Sequence, residues 1–175
     1  MSAEIISPKI NIKWTPPVVT LPNSNKYERN WYLAQDFTVT WLENNKYHRL
    51  VVKKGMPTDG ASVPQLFWSL GFLPTGTEFG GAVIHDAAYQ VQGDLDKSQW
   101  LELFYFDYDK QDWLPEKGVV WSKKQCDGYF YQFMIQGGAN PIKAKTMQLA
   151  VEWFGSIAWK KEWPFNESSI DKGMP

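Results

Sequence analysis

The hydrophobic period changes along the chain, and that change constrains the fold more than any other feature. Trp31, Leu33, Phe37, Val39 and Trp41 alternate with a period of two, with one slip near Asp36. Glu43-Asn44-Asn45-Lys46 is a turn sequence, and Tyr47 to Val52 return. Residues 30–54 therefore read as a β-hairpin. From Ser122 onward the spacing is helical. Ser122-Lys123-Lys124-Gln125 is a capping-box pattern, Cys126, Phe130, Phe133 and Met134 form an apolar stripe, and Gly137-Gly138 ends it. Asn140-Pro141 opens a further helix to about Trp159, with Met147, Ala150, Val151, Phe154 and Ala158 at helical spacing.

Between these regions, Gly55 to Pro64 is rich in turn residues. A short helix over Gln65–Leu70 follows, with Ser62 as its cap. Glu78 to about Val91 reads as a longer helix capped by Thr77 and stopped by Gly93 and Asp94. Residues 93–121 form an aromatic stretch in which Gln99 to Tyr108 fits a helix or a strand. The pattern predicts an α+β fold: an N-terminal antiparallel hairpin or small sheet packed by three or four helices.

At 175 residues the chain allows one domain, or a domain with arms. Pro8, Pro16, Pro17 and Pro22 punctuate residues 1–29 and predict an extended N-terminal arm. The domain spans 30–160, and 161–175 form a C-terminal tail. With 18 basic and 19 acidic residues, no electrostatic footprint for nucleic acid or an anionic membrane is visible. A single cysteine, Cys126, excludes an intrachain disulfide and a cysteine-pair metal site. No segment approaches 18 consecutive apolar residues, so no transmembrane segment is expected. The start, MSAEIISPKINIK, does not read as a Sec-type signal.

The chain carries 10 Trp, 10 Phe and 8 Tyr, more rings than a small core easily hides. Trp31 and Trp41 belong to the hairpin, Trp153 and Trp159 to a closing helix that packs the core, and Trp68 follows the Asp59 loop. Trp14, Trp100, Trp113 and Trp163 lie in the arms or the aromatic stretch, where partner surfaces are expected.

Three segments carry the candidate chemistry. In Ala82-Val83-Ile84-His85-Asp86-Ala87-Ala88-Tyr89, His85 and Tyr89 are four apart on a helix, and Asp86 is three before Tyr89. The three polar groups can converge, with His85 as general base and Asp86 as metal ligand. They equally suit a polar network that fixes helix packing. In the loop Thr58 to Pro64, Asp59 accepts loop amides or joins Asp86 as an oxygen ligand for a hard cation such as Ca2+. Asp127, one turn into a helix, suits the helix dipole, or it orients His85 as the third member of a triad does.

These segments resemble a small domain of unknown function common in tailed bacteriophages and prophages. Its marks are a T-D-G-A-S-x-P loop, an H-D-x-x-Y helix and a later helix carrying D-x-x-F. The matching residues are Thr58 to Pro64, His85 to Tyr89, and Asp127-Gly128-Tyr129-Phe130. Relative to that family, residues 95–120 look like an aromatic insertion. The resemblance implies a phage origin and a place in the virion. A second similarity is to secreted and parvoviral phospholipases A2, whose catalytic helix also reads H-D-x-x-Y. It implies that His85 activates water, Asp86 binds calcium, Tyr89 supports the network and Asp127 orients His85. Gly76, Gly80 and Gly81 are the nearest stand-ins for that family's calcium loop. His48, His85-Asp86 and Asp127 also follow the order of H…HD…D metal phosphohydrolases. Those place every ligand on helices, whereas His48 reads as an exposed hairpin residue.

The favoured expectation is a virion-associated structural or assembly protein of the tail or connector region. It meets other phage virion proteins through both arms and carries a His-Asp polar site. The alternative is a metal-dependent hydrolase acting on lipid or cell envelope during infection, with His85 as general base.

Overall fold

Trp31 to Trp41 read as one alternating run, but the chain changes sheets in the middle of it. A computed structural model describes residues 19–20, 31–58 and 77–160. Strands β1 (Val19–Thr20), β2 (Trp31–Leu33) and β5 (Pro57–Thr58) form one antiparallel sheet in the order β1-β2-β5. Strands β3 (Phe37–Glu43), β4 (Lys46–Val52), β6 (Leu101–Asp107) and β7 (Asp112–Pro115) form the second, in the order β3-β4-β6-β7. The slip near Asp36 is the crossing point. The Asp36 carboxylate accepts the Lys54 amide at 2.8 Å there, tying down the bend. The β3–β4 turn holds Asn44 and Asn45 at φ 50° and 59°, the left-handed pair that matches the twist of a two-residue hairpin.

Residues 93–121 are part of the architecture and not an appendage. The Trp121 amide donates to the Gly93 carbonyl at 2.8 Å, and that of Leu95 to Val119 at 3.2 Å, so the segment leaves and re-enters at one point. In between it supplies β6 and β7, half of the larger sheet. The ambiguous stretch Gln99 to Tyr108 is a strand because β4 offers it an edge to pair with, from Val52↔Leu101 to His48↔Tyr105.

Phe37, Val39, Trp41, Leu50, Val52, Leu101 and Leu103 make the inner face of this sheet. Each fully buried ring or branched side chain contributes about 1.5–3 kcal/mol. Helices α1 (Phe79–Gln90), α2 (Lys123–Gln136) and α3 (Pro141–Trp159) complete the core. Among the described residues the fold is thus two antiparallel sheets with three α-helices, the expected α+β class. Ser122 and Gln125 form the expected reciprocal cap of α2. The Asn140 carboxamide oxygen accepts the Ile142 and Lys143 amides at the start of α3.

Several expectations need correction. Thr77 does not cap α1; Glu78 occupies that position without a side-chain cap, and pairs instead with Lys143 at 2.8 Å. On α3, Trp153 and Phe154 do not pack the core: they are 75% and 57% exposed. Trp100 is packed against the main core, and Trp113 lies under the Arg49 guanidinium at 3.9 Å, so these two rings belong to the domain. His48 is no exposed hairpin residue; it stacks on Trp41 and its Nδ1 meets Glu116 at 2.8 Å. The expected helix Gln65–Leu70, Trp14, Trp68, Trp163, the tail and most of the arm lie outside the described residues. Val19 and Thr20 are the exception, pairing with β2.

Candidate functional site

Every residue of α1 from Phe79 to Tyr89 is buried. A helix apolar on all sides sits inside a core. Its two central polar residues, His85 and Asp86, must therefore find partners within the protein, because a buried polar group without one is costly. They find them on opposite flanks.

His85 faces α2. Its Nε2 lies 3.1 Å from Asp127 Oδ1, and Tyr89 Oη, one turn further along α1, donates to the same oxygen at 2.6 Å. Asp127 Oδ2 accepts from Lys123 Nζ at 2.7 Å. The His85 ring lies tilted against Tyr89, with ring centroids 3.9 Å apart, and against Phe130 at 4.8 Å. Trp159 of α3 meets Tyr89 edge-on at 4.8 Å. Two glycines admit this packing. A Cβ at Gly81 would stand 2.8 Å from the Phe130 carbonyl, and one at Gly155 would stand 2.8 Å from Tyr89 Oη. At Gly81, α2 therefore comes against the backbone of α1, and at Gly155 the bare Cα of α3 makes room for the Tyr89 hydroxyl.

Asp127 is 1% exposed. Burial alone pushes its carboxyl up, but the hydrogen bonds from His85, Lys123 and Tyr89 together hold it below the usual carboxylate range. It is therefore an acceptor only. His85 therefore presents an N–H at Nε2 to that oxygen. Burial and the Asp127 bond push the Tyr89 hydroxyl far above its ordinary range, so it stays a donor.

Asp86 faces β5. Its Oδ2 accepts from Thr58 Oγ1 at 2.5 Å, with Asp86 3% exposed. Thr58 begins the T-D-G-A-S-x-P segment and Phe130 ends the D-x-x-F segment. Thr58 of the first motif, and Asp127 and Phe130 of the third, thus meet the H-D-x-x-Y residues around α1. Asp86 does not converge with His85 and Tyr89 on Asp127.

Only part of the expected calcium site lies within the described residues. Among the described residues no group of three or more His, Cys, Asp or Glu side chains is placed to hold a metal ion, and Asp86 is engaged by Thr58. Asp59 lies outside the described residues. Gly80 and Gly81 are helical and buried in α1, so they do not build a calcium loop. The H…HD…D arrangement is likewise not assembled, with His48 joined to Glu116 and His85 to Asp127.

Sequence reasoning named Phe130 and Trp159 without placing them beside His85 and Tyr89, and it missed Lys123. A signal for Lys123 was present: two lysines follow Ser122, and no acidic residue stands in the first turn of α2, against the sign of the helix dipole.

No helix among the described residues is long and apolar enough to cross a membrane. No curated protein and no solved structure matches the chain. One family model does match, covering residues 31–151 and all three motifs, and by that match the chain belongs to the DUF1353 family, proteins of unknown function.

Proposed function

We propose that the domain is a hydrolase in which His85 is the general base and Asp127 its orienting carboxylate. The observation that carries this reading is the 3.1 Å contact between His85 Nε2 and Asp127 Oδ1, with Tyr89 on the same oxygen. An imidazole oriented by a buried carboxylate can act as a base, and the carboxylate stabilises the imidazolium that results. His85 takes a proton from water as the water oxygen adds to an ester carbonyl. The same proton then passes to the departing alkoxide, so water and ester become acid and alcohol. The similarity of the H-D-x-x-Y helix to phospholipases A2 points to the carboxylic esters of envelope lipids as substrate class.

The test is release of fatty acid from phosphatidylethanolamine–phosphatidylglycerol vesicles by the full chain. His85→Gln keeps a side-chain donor for Asp127, so it is expected to lose activity by about 10²–10⁴-fold. Its melting temperature should move by no more than about 2–4 °C. A wild-type chain that releases no fatty acid, or a His85→Gln chain that keeps its rate, overturns the reading.

A second reading is a virion part that docks on a neighbouring virion protein. The supporting observation is the outer face of α3, where Ile142, Leu149, Trp153 and Phe154 are exposed on a helix whose Ala144, Met147, Ala150 and Val151 pack into the domain. The resemblance to phage domains supports the same role. Mass spectrometry of purified particles should find the wild-type chain, and Trp153→Ser with Phe154→Ser should remove it while leaving the domain folded. Particles that lack the wild-type chain exclude this role.

A further inference from the structure

Lys123 has no part in the motifs, yet it is the residue that joins all three helices at the buried carboxylate. Its ammonium has three N–H donors. They reach Asp127 Oδ2 at 2.7 Å and, on α3, the carbonyls of Val151 at 3.1 Å and Glu152 at 3.4 Å. Its side chain is only 21% exposed. The position is electrostatically contrary twice over. A lysine in the first helical turn opposes the dipole, and a lysine four residues before an aspartate is the weaker orientation of such a pair. Helix propensity alone does not account for it. The bare Cα of Gly155 lets α3 come close enough, since a Cβ there would lie 3.5 Å from Lys123 Nζ as well as 2.8 Å from Tyr89 Oη.

We propose that Lys123 is a positioning residue for His85, acting through Asp127: it pins the second carboxylate oxygen to the backbone of α3, so that the seating of α3 sets the orientation of the imidazole. This rests on the reading of His85 as a base. A carboxylate held on one oxygen only can rotate about its Cβ–Cγ bond. With both oxygens held, and one of them anchored to a third helix, the oxygen that faces Nε2 is fixed. The lysine also balances the Asp127 charge beside the ring.

The experiment uses the full chain labelled with [15N]histidine. Proton–nitrogen spectra report which ring nitrogen of His85 carries hydrogen and how fast that hydrogen exchanges; His48→Gln identifies the His85 signals. The wild type is expected to show one Nε2–H tautomer in slow exchange. Lys123→Met should speed that exchange by roughly tenfold or more and shift the ring nitrogens. Lys123→Arg, which can still donate to the carboxylate and the carbonyls, should stay close to the wild type. On lipid vesicles, Lys123→Met should lower kcat with KM held. A wild-type His85 spectrum and exchange rate in Lys123→Met overturn the proposal. If that variant does not fold, Gly155→Ala unseats α3 with Lys123 still present and should change the same signals; unchanged signals there overturn it too. Absence of ester hydrolysis by the wild type strikes the base reading, whereas the spectra decide the role of Lys123 by themselves.

Discussion

Tyr89 and His85, one turn apart on α1, share a single oxygen of Asp127, at 2.6 and 3.1 Å. Their two contacts tie α1 to α2 and leave that carboxylate no freedom to serve as anything but an acceptor. Two consequences follow, one for the chemistry of His85 and one for the stability of the core.

Removing the carboxylate should be costly. Asp127→Ala leaves His85, Tyr89 and the part-buried Lys123 without their shared acceptor, and breaking such a buried pair costs about 3–5 kcal/mol. Urea unfolding of the two chains measures it. A loss below about 1 kcal/mol would show that the network does not hold α1 to α2.

The same carboxylate makes stability depend on pH with a definite sign. Its folded-state pKa lies below the unfolded value of about 3.9, so the unfolded chain binds the proton more readily. The contribution is fully present above that unfolded value and is lost as pH falls through the folded one. Glu116, held below its ordinary range by hydrogen bonds from Lys46 and His48 that outweigh its burial, adds a term of the same sign. The stability gap between wild type and Asp127→Asn, measured by urea unfolding at several pH values, should be flat near neutrality and close only below about pH 4. A gap that closes between pH 5 and 7 contradicts this origin.

Cys126 should be inert in the folded protein. Burial, with the neighbouring Asp127 charge adding to it, pushes the thiol up to about 12. Thiol reagents at neutral pH are expected to label it at the rate of unfolding and no faster. Rapid labelling of the native chain would show that the α2 face near Asp127 opens to solvent.

Gly93 should tolerate no side chain. It holds φ +78°, and a Cβ there would stand 1.8 Å from the Trp121 carbonyl, at the point where the β6–β7 segment closes. Gly93→Ala is expected to cost at least about 2 kcal/mol, as left-handed strain and backbone displacement add. A melting temperature equal to that of the wild type would mean that the closure yields easily.

The chain by itself determined the elements whose causes are local. Asn44-Asn45 made the hairpin turn, Ser122 and Gln125 capped α2, and Asn140-Pro141 opened α3, because those preferences act between residues no more than a few positions apart. The sequence also singled out His85, Tyr89 and Asp127, since a motif names residues wherever they lie. Only the tertiary structure decided the rest. It split Trp31–Trp41 between two sheets and made Leu101–Asp107 a strand beside β4. It turned Trp153 to solvent, sent Asp86 to Thr58, and gave Lys123 to Asp127 and α3 together. The His85–Asp127 bond joins residues 42 apart. A contact at that separation depends on how whole helices pack, and single residues carry no record of their distant neighbours.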